Sequence, residues 1–165
     1  MPAPTVRLLL DHLAPRSGSR AWHGGPTPVG AVRGVDHRMA AWRPAPGRKS
    51  IWELMLHIAY WKYTLRRHLS TDPIPRFPRS PANFPRQPAR PDAASWTADV
   101  ALLRREHELL AEALASLPEG RLGRIPRKVK RWTWGDMLVG IAMHDAYHTG
   151  QIQLLKRLFR KRSEE

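Results

Sequence analysis

Residues 50–61 read Ser50-Ile-Trp-Glu-Leu-Met-Leu-His-Ile-Ala-Tyr-Trp61, and this stretch predicts the start of a long, buried helix. A serine followed three residues later by a glutamate is a capping box, in which each side chain accepts a hydrogen bond from the other residue's backbone N–H. After this cap, large apolar side chains recur at helical spacing, which is typical of a helix with one face in a core. We predict a helix from Ile51 to about Leu69.

Outward from this segment, further helices are predicted on both sides. The segment Thr133-Trp-Gly-Asp136 resembles a second capping box, with a shorter acid, and begins the last of them. The remaining helical segments are expected at residues 5–13, 94–117 and 134–159, with short helical pieces near 28–35 and 36–41. No segment shows the alternation of a β-strand. The pattern predicts an all-α protein built as a four-helix bundle.

The stretch 72–91 separates the second and third long helices and contains seven prolines in 20 residues. Proline lacks an N–H and restricts the residue before it, so this stretch is neither a helix nor an inner strand. We interpret it as a long crossover loop that Phe77 and Phe84 anchor to the bundle. A linker between two domains is disfavoured, because each flank is too short to close a core alone. The sequence therefore predicts one domain over residues 1–165.

Composition excludes several classes of protein. The chain has 165 residues and no cysteine, so it has no disulfide framework, no thiolate nucleophile and no cysteine-based metal site. No apolar run reaches the roughly 18 residues of a membrane span. The first residues lack the long apolar stretch of a signal peptide. We expect a cytoplasmic protein that does not enter the membrane.

The formal net charge of +14 suggests a nucleic-acid partner, because phosphate binding needs a surplus of Lys and Arg. Arginine supplies 22 of the 28 positive charges, however, and is scattered along the chain. The two local concentrations, residues 121–131 and 156–162, are interpreted as a solvated loop and a helix end. Trp132 and Trp134, beside the first of them, are expected in the core. A non-catalytic binding module whose basic surface engages nucleic acid or an acidic partner is the alternative function.

Two of the eight histidines lie in the stripe of the last helix that is expected to be buried. The members of this stripe step by threes and fours: Met137, Ile141, His144, His148, Gln151 and Leu155. A histidine pair at i, i+4 presents two imidazoles to one transition-metal ion. His57, in the middle of the second long helix, is placed to add a third. Spacing alone leaves a metal site and a set of hydrogen-bonded core histidines equally open.

The segment His144-Asp-Ala-Tyr-His148 also differs from the zincin motif H-E-x-x-H only by an aspartate in place of the glutamate. The shorter acid reaches a metal-bound water less easily, and no histidine follows as a third ligand. A peptidase is therefore disfavoured. Asp145 is a candidate for a residue behind the metal ligands that orients them or adjusts the basicity of bound water.

The chain as a whole resembles the DinB-like superfamily, which includes YfiT-type metal-dependent hydrolases. The resemblance covers nearly the whole chain and is most specific in two helical blocks, Leu56-His-Ile-Ala-Tyr-Trp-Lys62 and His144-Asp-Ala-Tyr-His-Thr-Gly-Gln-Ile152. It implies a four-helix bundle and a metal triad at His57, His144 and His148, with zinc or nickel as the expected divalent ion. It also implies thiol S-transfer or hydrolysis on a small molecule, and a homodimer. With no cysteine in the chain, a reacting thiol must come from outside, as a low-molecular-weight thiol.

Three residues near the triad are candidates for contacts with substrate: Trp61, Gln151 and His23. Trp61 follows His57 by one turn, Gln151 follows His148 by one turn, and His23 lies in the segment Ala21-Trp-His-Gly24. Two of them have an ordinary structural alternative: a core position for Trp61 and a local hydrogen bond for His23. Glu53, one turn before His57, is already explained by the capping box.

Overall fold

The computed structural model describes residues 1–15, 24–70, 72–127 and 129–162. Within these ranges the chain is helical and has no β-strand, as predicted. The α-helices are α1 (Pro4–Leu13), α2 (Pro28–Ala31), α3 (His37–Ala41), α4 (Ile51–Leu69), α5 (Ala93–Ala115) and α6 (Trp134–Lys161), with a 3-10 turn at Glu119–Arg121. None of these helices combines the length and the apolar character needed to cross a bilayer.

The four longer helices form the predicted bundle. Helix α4 packs against α5 and α6, and α1 packs against the same two helices, so α1 and α4 occupy opposite corners. The largest core cluster centres on α4, where Ile51, Trp52 and Met55 are fully buried. A second cluster joins α1 to the ends of α5 and α6. The middle of α4 contacts α6, through His57 beside His144 and Lys62 beside Asp145.

Both predicted capping boxes are present. The Ser50 hydroxyl accepts a hydrogen bond from the Glu53 N–H, and the Glu53 carboxylate accepts one from the Ser50 N–H. Thr133 and Asp136 make the same reciprocal pair at the start of α6. These caps satisfy N–H groups that a helix start leaves without partners, and so fix where α4 and α6 begin. The position of each cap therefore sets which side chains of α4 and α6 share a face.

The segment between α4 and α5 contains no helix or strand in its described residues and lies against α4. Phe77 and Phe84, the residues expected to anchor it, pack on the larger core cluster. Arg79 donates to Asp99 of α5 at 2.8 Å, and the Ser50 hydroxyl lies 2.6 Å from Oε1 of Gln87. These polar contacts hold a proline-rich segment that cannot hydrogen-bond regularly to itself.

One expectation about burial was wrong. Trp132 is 61% exposed, although we expected it in the core. It precedes the cap residue of α6 and therefore lies outside the helix, whereas Trp134, inside the first turn, is buried as predicted. His107 on α5 is half-buried between charged neighbours in sequence. Its buried Nδ1 atom has no hydrogen-bond partner in the part of the chain described.

Candidate metal centre

Helices α4 and α6 bring three histidines into one cluster. His57 comes from α4, and His144 and His148 come from consecutive turns of α6. One ring nitrogen from each lies within 4.8 Å of the other two, and the Nε2 atoms of His57 and His144 are 2.9 Å apart. Among the residues that the structure describes, this is the one group of three or more histidine or acidic side chains with potential ligand atoms so close together. The long separation in sequence is bridged by the packing of α4 on α6.

Hydrogen bonds to the outer ring nitrogens set the orientation of two of these rings. Nδ1–H of His57 donates to the backbone carbonyl oxygen of Asn83 at 2.5 Å. Nδ1–H of His148 donates to Oε1 of Gln151 at 2.7 Å. Because both partners are acceptors, the proton of each ring sits on Nδ1, and each Nε2 carries a lone pair instead of a proton. Metal-binding histidines are typically held in this way.

The third ring has a different environment. Nδ1 of His144 is buried without a hydrogen-bond partner among the described residues, and its Nε2 points at Nε2 of His57. Two nitrogen lone pairs cannot face each other at this distance without a proton or a cation between them. Three neutral imidazole nitrogens are also a donor set that suits divalent zinc, nickel or copper. The cluster therefore fits a transition-metal ion.

Burial keeps the cluster neutral at physiological pH. It lowers the pKa of His57 to about 4, with a smaller opposing effect from the hydrogen bond to Asn83. Burial, followed by the neighbouring His148 and His57, lowers the pKa of His144 to about 3. The pKa of His148 is also lowered, mainly by burial. Because metals bind the unprotonated imidazole, these shifts leave the rings ready to bind an ion well below pH 7.

We expect metal-free protein to lose stability as the pH falls from about 6.5 to 4. An unfolded histidine binds a proton near pH 6.5, whereas His57 in the folded protein resists protonation down to pH 4. The contribution of the neutral His57 to the free energy of unfolding is therefore complete above pH 6.5 and is lost as the pH falls towards 4, by at most about 3.4 kcal/mol for this ring. Urea denaturation of chelator-treated protein at pH 7, 5.5 and 4.5 measures it.

A His57→Phe variant is the control for this pH dependence, because it leaves the carboxyl groups in place. Its free energy of unfolding should decline less between pH 7 and 4.5 than that of the wild type. Equal declines in the two proteins would contradict a neutral, buried His57.

Aromatic side chains surround the cluster. The ring of Phe84 stacks on His57 with 3.7 Å between centroids and 5° between planes. Trp61 contacts His57 edge-on and donates from Nε1 to Oδ1 of Asn83 at 2.9 Å. Tyr147 packs edge-on against His148, with centroids 4.9 Å apart. Trp61 and Tyr147 are 38% and 65% exposed, so they mark the side on which the cluster meets solvent.

The remaining candidate residues differ in whether the structure places them at the cluster. Gln151 contacts His148, and Asp145 forms a buried ion pair with Lys62 instead of accepting an imidazole N–H. Glu53 is occupied by its cap and by Arg43, whose Nη1 lies 2.6 Å away. His23 lies outside the described residues, so its expected role stays a prediction. Contacts of Trp61 and Gln151 with a substrate stay predictions too.

Sequence reasoning missed three residues that the structure brings to the cluster: Asn83, Tyr147 and Lys62. Asn83 has φ 69°, a left-handed conformation that asparagine tolerates better than most residues. An asparagine among prolines signals a turn, but nothing in the sequence indicates that this turn lies against His57. Tyr147 is adjacent to His148 in the segment that differs from the zincin motif by one residue, so its position beside the cluster could have been predicted from the sequence.

A sequence-family model described as the DinB superfamily matches residues 29–152. All three clustered histidines fall inside the matched range, as do α4, α5 and most of α6. Neither a curated protein nor a solved structure matches the chain.

Proposed function

Because the chain belongs to the DinB superfamily, whose members bind metal, we propose that it is a metal-dependent enzyme that acts on a small molecule. In this proposal His57, His144 and His148 hold one divalent ion, with zinc or nickel as the expected metals. One observation carries the proposal: the outer nitrogens of His57 and His148 donate to acceptors, which leaves their inner nitrogens unprotonated and able to bind a metal ion.

A divalent ion held by His57, His144 and His148 would supply a Lewis acid and would lower the pKa of a thiol or water bound to it. Such a site suits thiol transfer or hydrolysis. The chain contains no cysteine, so the thiol in a transfer reaction would be a small molecule from solution. The partly exposed Trp61 and Tyr147 leave an approach to the cluster for a ligand of this kind.

The chain's own residues position and shield the ligands in this proposal. Asn83 and Gln151 hold two of the imidazoles by hydrogen bonds, and Phe84 covers one face of His57. Asp145 and Lys62 join α6 to α4 next to His144. We place Asp145 as a positioning residue that acts through this ion pair, because its carboxylate is already engaged by Lys62.

Metal analysis of the purified protein tests the proposal. We expect about one equivalent of zinc or nickel per chain, removed by a chelator and restored by adding the ion. Binding to the folded state alone raises the free energy of unfolding by about 2.7 kcal/mol at an ion concentration 100 times the Kd. A protein that contains no metal, and whose melting temperature no divalent ion raises, would refute the site.

Activity is tested separately on the metal-loaded protein. Chlorodinitrobenzene with a small thiol reports transfer, and p-nitrophenyl acetate reports hydrolysis. Metal-dependent turnover of either substrate supports the enzymatic part of the proposal. Stoichiometric metal with no turnover in both assays counts against these reactions but not against the site.

The basic residues in the stretch 121–131 support a second candidate function, binding of single-stranded nucleic acid. The exposed indole of Trp132 directly follows a run of exposed cations, which are Arg121, Arg124, Arg127, Lys130 and Arg131. An exposed aromatic ring next to cations provides a stacking surface for a base together with positive charge for the phosphates. Exposure of Trp132 is the specific observation that favours this candidate.

We expect Trp132→Ala to weaken binding of a fluorescent oligonucleotide by roughly fivefold to a hundredfold, the usual range for loss of one stacking ring. Lys130→Gln should reduce the slope of log affinity against log salt by about one. Arg104→Gln, which removes an exposed charge from α5, is the matched control and should bind as the wild type does. Absence of binding at physiological salt would eliminate this candidate.

The expected homodimer and the expected cytoplasmic location stay predictions.

A further inference from the structure

A cavity lies on the side of α6 that faces α1, away from the histidine cluster, and none of the three histidines lines it. Its volume is about 470 Å³. Small-molecule sites usually measure about 300–1,000 Å³, so the cavity has the size of a ligand site. Apolar side chains form much of the wall, among them Leu9, Leu13, Pro28, Val139 and Met143.

Two polar residues of α6, one turn apart, also line this cavity. Asp145 and Thr149 are 5% and 3% exposed. Oδ1 of Asp145 and Oγ1 of Thr149 are buried and find no hydrogen-bond partner among the residues described. The other carboxylate oxygen of Asp145 is bound by Lys62. Because buried polar atoms in folded proteins are nearly always hydrogen-bonded, this pair of free atoms indicates a missing partner.

The two free atoms define the chemistry of that partner. A carboxylate oxygen only accepts a hydrogen bond, whereas a threonine hydroxyl both donates and accepts. A ligand hydroxyl satisfies both, because it can donate to Oδ1 of Asp145 and accept from the hydroxyl of Thr149. An ammonium group fits less well, since the charge of Asp145 is already matched by Lys62 and a further cation would be buried without a counter-charge. One water molecule would leave most of this largely apolar cavity unfilled.

We propose that this cavity binds a small, neutral, apolar alcohol or phenol. Its hydroxyl lies between Asp145 and Thr149, and its hydrocarbon part lies between α1 and α6. The site shares Asp145 with the ion pair beside His144 but uses the other carboxylate oxygen, and none of the three histidines lines the cavity, so ligand binding is tested separately from the proposed metal function.

Calorimetric titration with 2-naphthol tests the proposal, with 2-methoxynaphthalene as the matched ligand that cannot donate a hydrogen bond. We expect the phenol to bind the wild type about tenfold more tightly than the ether. Thr149→Val keeps the shape of the side chain and removes only the hydroxyl. We expect it to weaken the binding of 2-naphthol by about fivefold to tenfold and to leave the affinity for the ether unchanged.

A second variant tests the location. Ala142→Phe places a large ring in the cavity, so both ligands should cease to bind. Amide NMR shifts on adding 2-naphthol should be confined to residues near 8–13 and 139–149. Shifts centred on His57 instead would place the ligand in the histidine cluster and overturn the proposal.

Three further results would also overturn it: equal affinities of phenol and ether for the wild type, unchanged 2-naphthol affinity in Thr149→Val, or no binding up to the solubility limit. If Thr149→Val fails to fold, the comparison of phenol with ether on the wild type still decides.

Discussion

Replacing His57 with alanine is expected to lower the affinity for zinc or nickel by more than about a hundredfold. Loss of a group that merely orients a metal ligand already costs about 10- to 100-fold, so loss of a ligand itself should exceed that range. His57 is also the one member of the cluster contributed by α4. Its removal leaves a histidine pair on a single helix, which is a much weaker site. Competition with a chromophoric chelator measures the affinity.

Two further variants calibrate this result. Gln151→Leu removes the acceptor that holds His148 and should cost about tenfold. His12→Ala removes an exposed histidine of α1 that lies outside the cluster, and its metal affinity should equal that of the wild type. An affinity for His57→Ala within a few-fold of the wild type would show that metal binds elsewhere.

Replacing Lys62 with methionine is expected to reduce the free energy of unfolding by about 3–5 kcal/mol at pH 7. The side chain of Lys62 is fully buried and pairs with Asp145, whose side chain is 7% exposed. Methionine fills a similar volume, so the loss comes from the carboxylate, which is left buried without its counter-charge. The loss should shrink near pH 4, because burial raises the pKa of Asp145 and protonation removes the unpaired charge. Urea denaturation at both values of pH provides the measurement.

The double variant Lys62→Met with Asp145→Leu separates charge from packing. It removes both charges and should recover most of the lost stability, since apolar replacements of a whole buried pair are often neutral or stabilising. Lys49→Met is the surface control: Lys49 lies 3.8 Å from Glu53 but is 44% exposed, so its loss should cost no more than about 1 kcal/mol. A single variant at Lys62 as stable as the wild type would mean that the pair contributes nothing.

The secondary structure was largely predictable because its signals are local. The capping boxes at Ser50 and Thr133 locate the starts of α4 and α6 from four residues each. Proline content identifies the segment between α4 and α5 as irregular from its own composition. The spacing of His144 and His148 fixes their shared face from the geometry of one helix. Each of these signals is contained in a short stretch and needs no knowledge of its neighbours.

Charged residues inside the bundle were not predictable in the same way. Lys62, Asp99 and Glu106 are buried, although their sequence positions suggested no such burial. Each is matched by a residue from another part of the chain: Asp99 by Arg79 and Glu106 by Arg66, at 2.8 Å in both cases. A periodic pattern of apolar residues identifies a buried face but does not reveal a charge whose partner is distant in sequence.

By itself the sequence determined the helices, their caps, the irregular segment between α4 and α5, and the three histidines available for a metal. Only the tertiary structure decided that Asn83 and Gln151 orient two of those rings, that Asp145 pairs with Lys62, and that Trp132 is exposed. The division has a physical reason. Helix formation and capping depend on residues a few positions apart, whereas the partner of a buried polar atom depends on which helices pack against each other and at what depth.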